Sequence, residues 1–432
     1  MAELPVAAAF LITSVVLVSL ILTKYSDRER SLLWVSFAAH EIGAVLNVVV
    51  VGSIYGWGDL LGYHRMGVFL ANKMRDDFLN LAPQLVLVLF QQAEPLPFPG
   101  VAVSSNTGSM QALSGFLCLL CFDSVYAICL VIAGVSFLAK LGIYEVFKEQ
   151  LRDVSRPLLI AAILLVPSAV FWSTGLLKEP IAVVGLGAMI FGGHAMAIRG
   201  RYLSGGCYLL GGALLAGLFK GYLLPPFGIG AGMFFASRAL FASGRSIQPR
   251  FLLLGGLVAG ASIVLTGVTL PHFAPDTFEE EAVAAQAVGH RTQGGSNYNI
   301  GGGPLLSQVP MALATVLYRP LVFEASNALV FSNALEMSVA LILTIIGLTR
   351  TSLYRSIRFV AERPALCFCV GFVLTLSVGV GLTTTNMGTL SRYRMPLVPF
   401  YATLLTALAI RGAKLVSARM LPHPAADHTR VA

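Results

Sequence analysis

Charge is scarce in this chain. Of its 432 residues only 12% are Asp, Glu, Lys or Arg, about half the roughly 25% that soluble domains carry. That supply cannot cover the surface of so long a chain in water. It excludes a single soluble enzyme domain, a nucleic-acid-binding basic domain and a disordered chain. The GxxxxGK[ST] phosphate loop is missing, so nothing in the sequence supports an ATP-driven pump. Six cysteines are present, Cys118, Cys121, Cys129, Cys207, Cys367 and Cys369, all inside apolar runs. With no Cys pair in any loop, neither a disulfide framework nor a zinc site is indicated. Cys367 and Cys369 stand too close together for a zinc knuckle and read as small packing residues.

Apolar length is what the chain does have. Hydrophobic residues make up 56% of it, gathered in runs close to the roughly 20 residues that a bilayer crossing needs. Such runs lie near 5–23, 32–53, 110–138, 157–173, 180–198, 203–219, 223–242, 251–270, 326–348, 364–384 and 394–412. The expectation is an all-α integral membrane protein, a single polytopic domain over 1–432 with about eleven transmembrane helices. The run near 78–94 is shorter, contains Pro83 and reads as an interfacial or re-entrant piece. The first run lacks a basic leader and a small-residue cleavage site, so it is read as a span and not as a signal peptide.

The basic residues orient these spans. With the amino terminus outside, 20 of the 29 Lys and Arg fall on the cytoplasmic side, in short loops that include Lys24, Arg28, Lys140, Arg199, Arg355 and Arg363. The bias has the sign of the positive-inside rule. It accounts for the net charge of +8 without nucleic acid. Two long extracytoplasmic loops result, 54–109 and 271–325, and a short cytoplasmic tail, 413–432. Any chemistry belongs on the outer side.

Four outer segments carry the polar residues. The first reads YGWGDLLGYHRMG, with Asp59 between turn-forming glycines and Tyr63, His64 and Arg65 just after it. An acid held at a helix end at the membrane surface can act as a general base or hold a metal; a solvated loop acid is the plain alternative. Asp76 and Asp77 in KMRDD form a second acidic pair. The segment FWSTGLLKEP brings Lys178, a point charge suited to phosphate or to snorkelling toward headgroups. In the second long loop, Glu279, Glu280 and Glu281 precede His290, Arg291 and the glycine-rich GGSNYNIGGG, a segment able to close over a substrate. Arg319 follows as a phosphate or carboxylate clamp. The last outer turn, SRYRMPLVP, holds Arg392, Tyr393 and Arg394 against the charge bias, which an anionic substrate would explain; Tyr393 could stack on a sugar ring.

Carboxylates for activating a hydroxyl, cations for a phosphate, aromatic faces and access from lipid together suit a polyprenyl-phosphate-linked sugar. On this reading Asp59, Asp76, Asp77 and His64 are the catalytic candidates. Arg65, Lys178, Arg291, Arg319, Arg392, Tyr393 and Arg394 are the candidates for binding substrate or lipid phosphate. No metal site is specified. The acids leave room for a divalent cation near Asp59 or Asp76, without a ligand set that would assert one.

Through Gly58–Asp59 with Tyr63 and His64, Phe171–Pro180 and Ser391–Pro399, the chain resembles integral-membrane glycosyltransferases of the GT-C type and the related polymerases of bacterial O-antigen and exopolysaccharide assembly. The resemblance implies a GT-C-like fold in the bacterial inner membrane and a polyprenyl-linked sugar or oligosaccharide as substrate. Its implied partners are membrane lipid and other polysaccharide-assembly proteins, with no nucleic acid. It gives Asp59 the role of base and puts Arg392 and Arg394 at the lipid phosphate. In that family the first-loop acid is often paired, whereas Asp59 stands alone unless Asp76 or Asp77 folds back. The non-enzyme rival is a transporter or flippase of lipid-linked saccharide. It is kept open by His40 and Glu41 in the second span and Glu336 in the ninth, although two-half symmetry is not evident.

Overall fold

A backbone inside a bilayer has no water to bond, so each crossing segment must satisfy its own N–H and C=O groups. This chain does so with helices. The structure is a computed structural model that describes residues 3–56, 58–93, 96, 98–241, 249–269, 297–298 and 304–420, without the side chains of 54–55, 250, 265–269 and 412–420. Among the described residues the β pairing amounts to one bridge, between Asn297 and Asn386.

In chain order the helices are α1 (Glu3–Leu22), α2 (Asp27–Val49, prolonged by a π-helical turn to Tyr55), α3 (Asp59–Asp76), α4 (Phe78–Leu89), α5 (Asn106–Leu120) and α6 (Val125–Gln150). Then come α7 (Arg156–Leu164), α8 (Pro167–Phe171), α9 (Lys178–Ala197), α10 (Tyr202–Lys220), α11 (Leu224–Phe241) and α12 (Pro249–Thr269). The last six are α13 (Leu305–Tyr318), α14 (Ala328–Arg350), α15 (Leu353–Ala361), α16 (Pro364–Thr383), α17 (Met387–Tyr393) and α18 (Val398–Met420).

Eight segments among the described residues are long and apolar enough to cross a membrane, not the eleven expected. They are Glu3–Leu22, Asp27–Ser53, Val125–Gln150, Lys178–Ala197, Tyr202–Phe241, Ala328–Arg350, Pro364–Thr383 and Met387–Arg411. The protein is thus an all-α, multi-pass membrane protein. Three differences account for the count. The runs at 203–219 and 223–242 form one helical stretch, interrupted where Lys220 leaves helical backbone (φ −150°, ψ 62°) and Gly221–Leu223 make a 3-10 turn. The run at 251–270 forms α12, of which Phe251–Val264, the part with described side chains, ranks with the shorter apolar helices and is not counted among the eight. The run at 157–173 is broken outright. Proline disfavours helical backbone in the residue before it, and Val166, before Pro167, is extended (φ −66°, ψ 121°).

The broken piece is held by side chains from three neighbouring helices. Glu336 accepts from Ser168 N (3.0 Å) and Oγ (2.6 Å). Lys140 Nζ donates to Ala169 O (2.8 Å) and Ser173 Oγ (2.6 Å), and Asn47 donates to Phe171 O (2.7 Å). Irregular backbone at membrane depth survives only with such partners. Lys140, expected in a cytoplasmic loop, is therefore wholly buried inside α6, where it also meets His40 Nε2 at 3.1 Å.

The run at 110–138 is two helices. Phe122 (φ 52°) and Asp123 (φ 61°) take left-handed conformations and turn the chain between α5 and α6, so the crossing helix starts at Val125 and runs to Gln150. The stretch 54–109 contains α3, α4 and the start of α5. Of 271–325, residues 271–296 and 299–303 lie outside the described residues, and the remainder includes the apolar helix α13.

Two sets of ion pairs mark opposite ends of α9. At its first turn Glu179 meets Lys220 and Arg392. At its last turn His194 and the following Arg199 meet Glu149, near the helix ends where Lys148 pairs with Glu29 and Arg363 with Asp153.

Candidate functional site

The site at the start of α9 begins with backbone geometry. Gly56 (φ 66°) and Gly58 (φ 138°) occupy conformations that side chains resist. They turn the chain from the π-helical end of α2 so that Asp59 becomes the first residue of α3, where a carboxylate complements the helix dipole. Glu179 holds the matching place in the first turn of α9.

Arg392, from the short helix α17, joins the two acids. Its Nη1 donates to Asp59 Oδ2 at 2.6 Å and its Nε lies 2.7 Å from Glu179 Oε1. Lys220, where α10 ends, puts Nζ 2.9 Å from the same Glu179 oxygen. The acids differ sharply in exposure: the Glu179 side chain is 0% exposed and that of Asp59 52%. Glu179 is thus the buried counter-charge of two cations, while Asp59 shares Arg392 from the wet side. The Lys220 ammonium also sits 4.1 Å from the Tyr393 ring centroid and 5.4 Å from that of Tyr222, a cation–π arrangement.

Beside this cluster opens a cleft of about 580 Å³. One face of α3 lines it at helical spacing with Asp59, Gly62, Tyr63, Met66 and Phe69. Thr107 and Gln111 of α5, Arg65 and Lys178 complete the wall. Lys178 Nζ donates to Asn106 Oδ1 (2.7 Å) and Thr107 Oγ1 (2.9 Å), both neutral, and lies 6.0 Å from the Tyr63 ring centroid. Burial, then the Asp59 charge, push the Tyr63 phenol up to about 12, so it stays a hydrogen-bond donor at physiological pH. Lys178, Arg65, Lys220 and Arg392 face Asp59 and Glu179, a formal excess of two positive charges.

Of the residues expected from the sequence, Asp59, Arg65, Lys178, Arg392 and Tyr393 come together here. The others do not. His64 points away, donating from Nε2 to Asp123 O at 2.8 Å, and Arg75 pairs with that Asp123 at 2.9 Å. Asp76 ends α3 and Asp77 follows it, about 25 Å from Asp59 at 1.5 Å per residue, so neither folds back to pair with it. Asp77 instead caps α4 through Asn80 N. Arg394 is 1% exposed and donates to Arg319 O (2.6 Å), Val316 O (3.2 Å) and Asn333 Oδ1 (3.3 Å), closing the carbonyl end of α13. Arg319 forks onto Glu324, with Nε at 2.8 Å from Oε1, and lies 5.0 Å from the Tyr298 ring centroid. Arg291, with His290, the three glutamates and all but Asn297 and Tyr298 of the glycine-rich stretch, falls outside the described residues.

Glu179 and Lys220 were not among the candidates. Lys220 carried a usable signal, a lone cation inside the apolar run LLAGLFKGYLL. Glu179 adjoins Lys178 at a proline-marked helix start. Among the described residues no three His, Cys, Asp or Glu side chains gather as a metal site. Comparison with protein-family models, curated proteins and solved structures finds no match for this chain.

Proposed function

We propose that the protein is a membrane glycosyltransferase with a GT-C-like fold. It uses a polyprenyl-phosphate- or diphosphate-linked sugar or oligosaccharide at the outer face of a bacterial inner membrane, in surface polysaccharide assembly, as a repeat-unit polymerase. The observation that carries this reading is the cleft beside Asp59, a half-exposed carboxylate next to an excess of two positive charges at a helix end. Lys178 and Arg65 line that cleft, and neither has an acidic partner among the described residues. A carboxylate can take the proton from an acceptor hydroxyl as its oxygen bonds the anomeric carbon. The bond from that carbon to the phosphate oxygen breaks, and the cations stabilise the charge left on the phosphate. Arg392 holds Asp59 in place and so serves the base more directly than the phosphate.

The test is a reconstituted assay with polyprenyl-linked sugars that resolves single transfer from chain growth. A ladder of products identifies a polymerase. Asp59→Asn should lower turnover by about 10²–10⁴-fold while the protein keeps its thermal stability. A folded Asp59→Asn variant with full activity removes Asp59 as base.

One observation favours a second reading. The helix broken at 165–166, with Lys140 and His40 buried and Glu336 half-buried around it, is the kind of discontinuous span that carriers use. A flippase of lipid-linked saccharide would move the lipid between leaflets in vesicles and form no glycosidic product.

A further inference from the structure

At the other end of α9 the helices part. Glycines draw α9 and α10 into close contact: a Cβ at Gly185 would lie 2.7 Å from Gly212 O, and one at Gly192 2.6 Å from Gly205 O. A second glycine seam draws α11 onto α16, where a Cβ at Gly371 would lie 3.0 Å from Gly230 Cα. Beyond the 3-10 turn that joins them, α10 and α11 therefore follow different partners and barely meet. The wedge between them is a cavity of about 200 Å³, lined by Phe147, Met189, His194, Leu209, Phe234 and Phe368 among others. Apart from His194, which is held by Gln150 at 3.1 Å, this wall is apolar. It exceeds the ~150 Å³ of an apolar cavity that stays dry and takes up benzene, and it is too narrow for more than one hydrocarbon chain.

Its mouth is basic. Met196 and Ala197 line the cavity, Arg199 and Arg201 follow them directly, and Tyr202, also a lining residue, is 72% exposed. Arg238 of α11 lies within electrostatic reach of His194 and 5.2 Å from the Phe251 ring centroid. Beside Arg199 and Arg201 stands Glu149, 2.7 Å from Arg199. An apolar slot with a cationic rim at a helix end matches one class of ligand in a membrane, an amphiphile with an anionic head.

We propose that this cavity is a specific lipid site that takes one acyl chain of an anionic phospholipid, whose phosphate rests on Arg199 and Arg201. The site is independent of the glycosyl-transfer reading, since it lies at the far end of α9 from Asp59 and uses none of the same residues.

The test is native mass spectrometry of the full-length protein, released from mixed micelles holding equal phosphatidylglycerol and phosphatidylcholine with the same chains. The expected result is one retained lipid, with phosphatidylglycerol at least tenfold over phosphatidylcholine. Gly193→Phe should abolish retention of either lipid, because Gly193 lines the cavity and a Cβ there would meet only Leu209 Cδ1, at 4.0 Å. Arg199→Gln with Arg201→Gln should keep a lipid but remove the preference. If Gly193→Phe does not fold, the wild-type protein decides. Phosphatidylglycerol with a diazirine at the chain end should label peptides that contain Met189–Ala197 or Phe227–Phe235. Labelling elsewhere, equal retention of both lipids, or retention unchanged by Gly193→Phe overturns the site.

Discussion

Glu179 is the most demanding residue of the site. Its carboxylate is fully buried and meets Lys220 at 2.9 Å and Arg392 Nε at 2.7 Å. Removing one partner from a buried ion pair leaves an uncompensated charge in low dielectric, which costs about 3–5 kcal/mol. Glu179→Gln keeps the shape, discards the charge and strands Lys220 outright, since Arg392 retains Asp59. The expected destabilisation is therefore about 3–5 kcal/mol. Asp59→Asn also breaks an ion pair with Arg392, but its side chain is 52% exposed, and the expected loss is below about 1 kcal/mol. The assay is unfolding in mixed micelles titrated with SDS, followed by circular dichroism, on wild type and both variants. A cycle with Lys220→Met sharpens it. The double variant leaves Arg392 paired with Asp59 and should be less destabilised than the sum of the two single variants, by about 1–3 kcal/mol. If Glu179→Gln unfolds within about 1 kcal/mol of Asp59→Asn, Glu179 is not the buried counter-ion described here.

Other expectations follow from the same contacts. Lys178→Met removes a charge-assisted bond of about 1.5–3 kcal/mol and should weaken binding of polyprenyl phosphate about ten- to hundredfold, measured by equilibrium titration in nanodiscs. Arg394→Met should cost at least about 1.5–3 kcal/mol of stability, from the carbonyl ends of α13 that lose their donor, while phosphate affinity stays at the wild-type value. At Glu324 burial opposes the charge, but the bonds from Arg319 and from Leu321 N hold the carboxyl below its ordinary value. A depressed folded value means that its stabilisation is complete above the unfolded value of about 4.3 and is lost as pH falls through the folded one. Glu324→Gln should flatten that acid limb in a stability–pH profile.

Membrane class and helical character were legible from apolar length alone, because no other solution buries so many consecutive apolar residues. The glycines around Asp59 were equally legible, since the chain needs left-handed backbone there. Arg392 stood out by opposing the charge bias, and the structure gives that oddity a cause in Glu179 and Asp59. Its neighbour Arg394 stood out for the same reason yet does something else. Residues two apart on a helix point about 200° apart, so both could not serve one cleft. What sequence could not supply was pairing across distance. Nothing near Glu179 announces that its partners sit at positions 220 and 392. The count of spans failed where punctuation outweighed hydropathy at Pro167 and where the turn at Gly221–Leu223 did not end a helical stretch, while the Phe122–Asp123 turn moved the start of a span.

The bond between Asp59 and Arg392 joins positions 333 residues apart, and this bears on how the protein is made. Helices enter the membrane in the order of synthesis, so Asp59 and Glu179 are in place long before Arg392 leaves the ribosome. Through that interval Glu179 has Lys220 as its counter-charge, and Asp59 lacks its cation. The cluster is thus completed only once the short helix α17 is made, and a product truncated before residue 392 carries the acids without the cation that joins them.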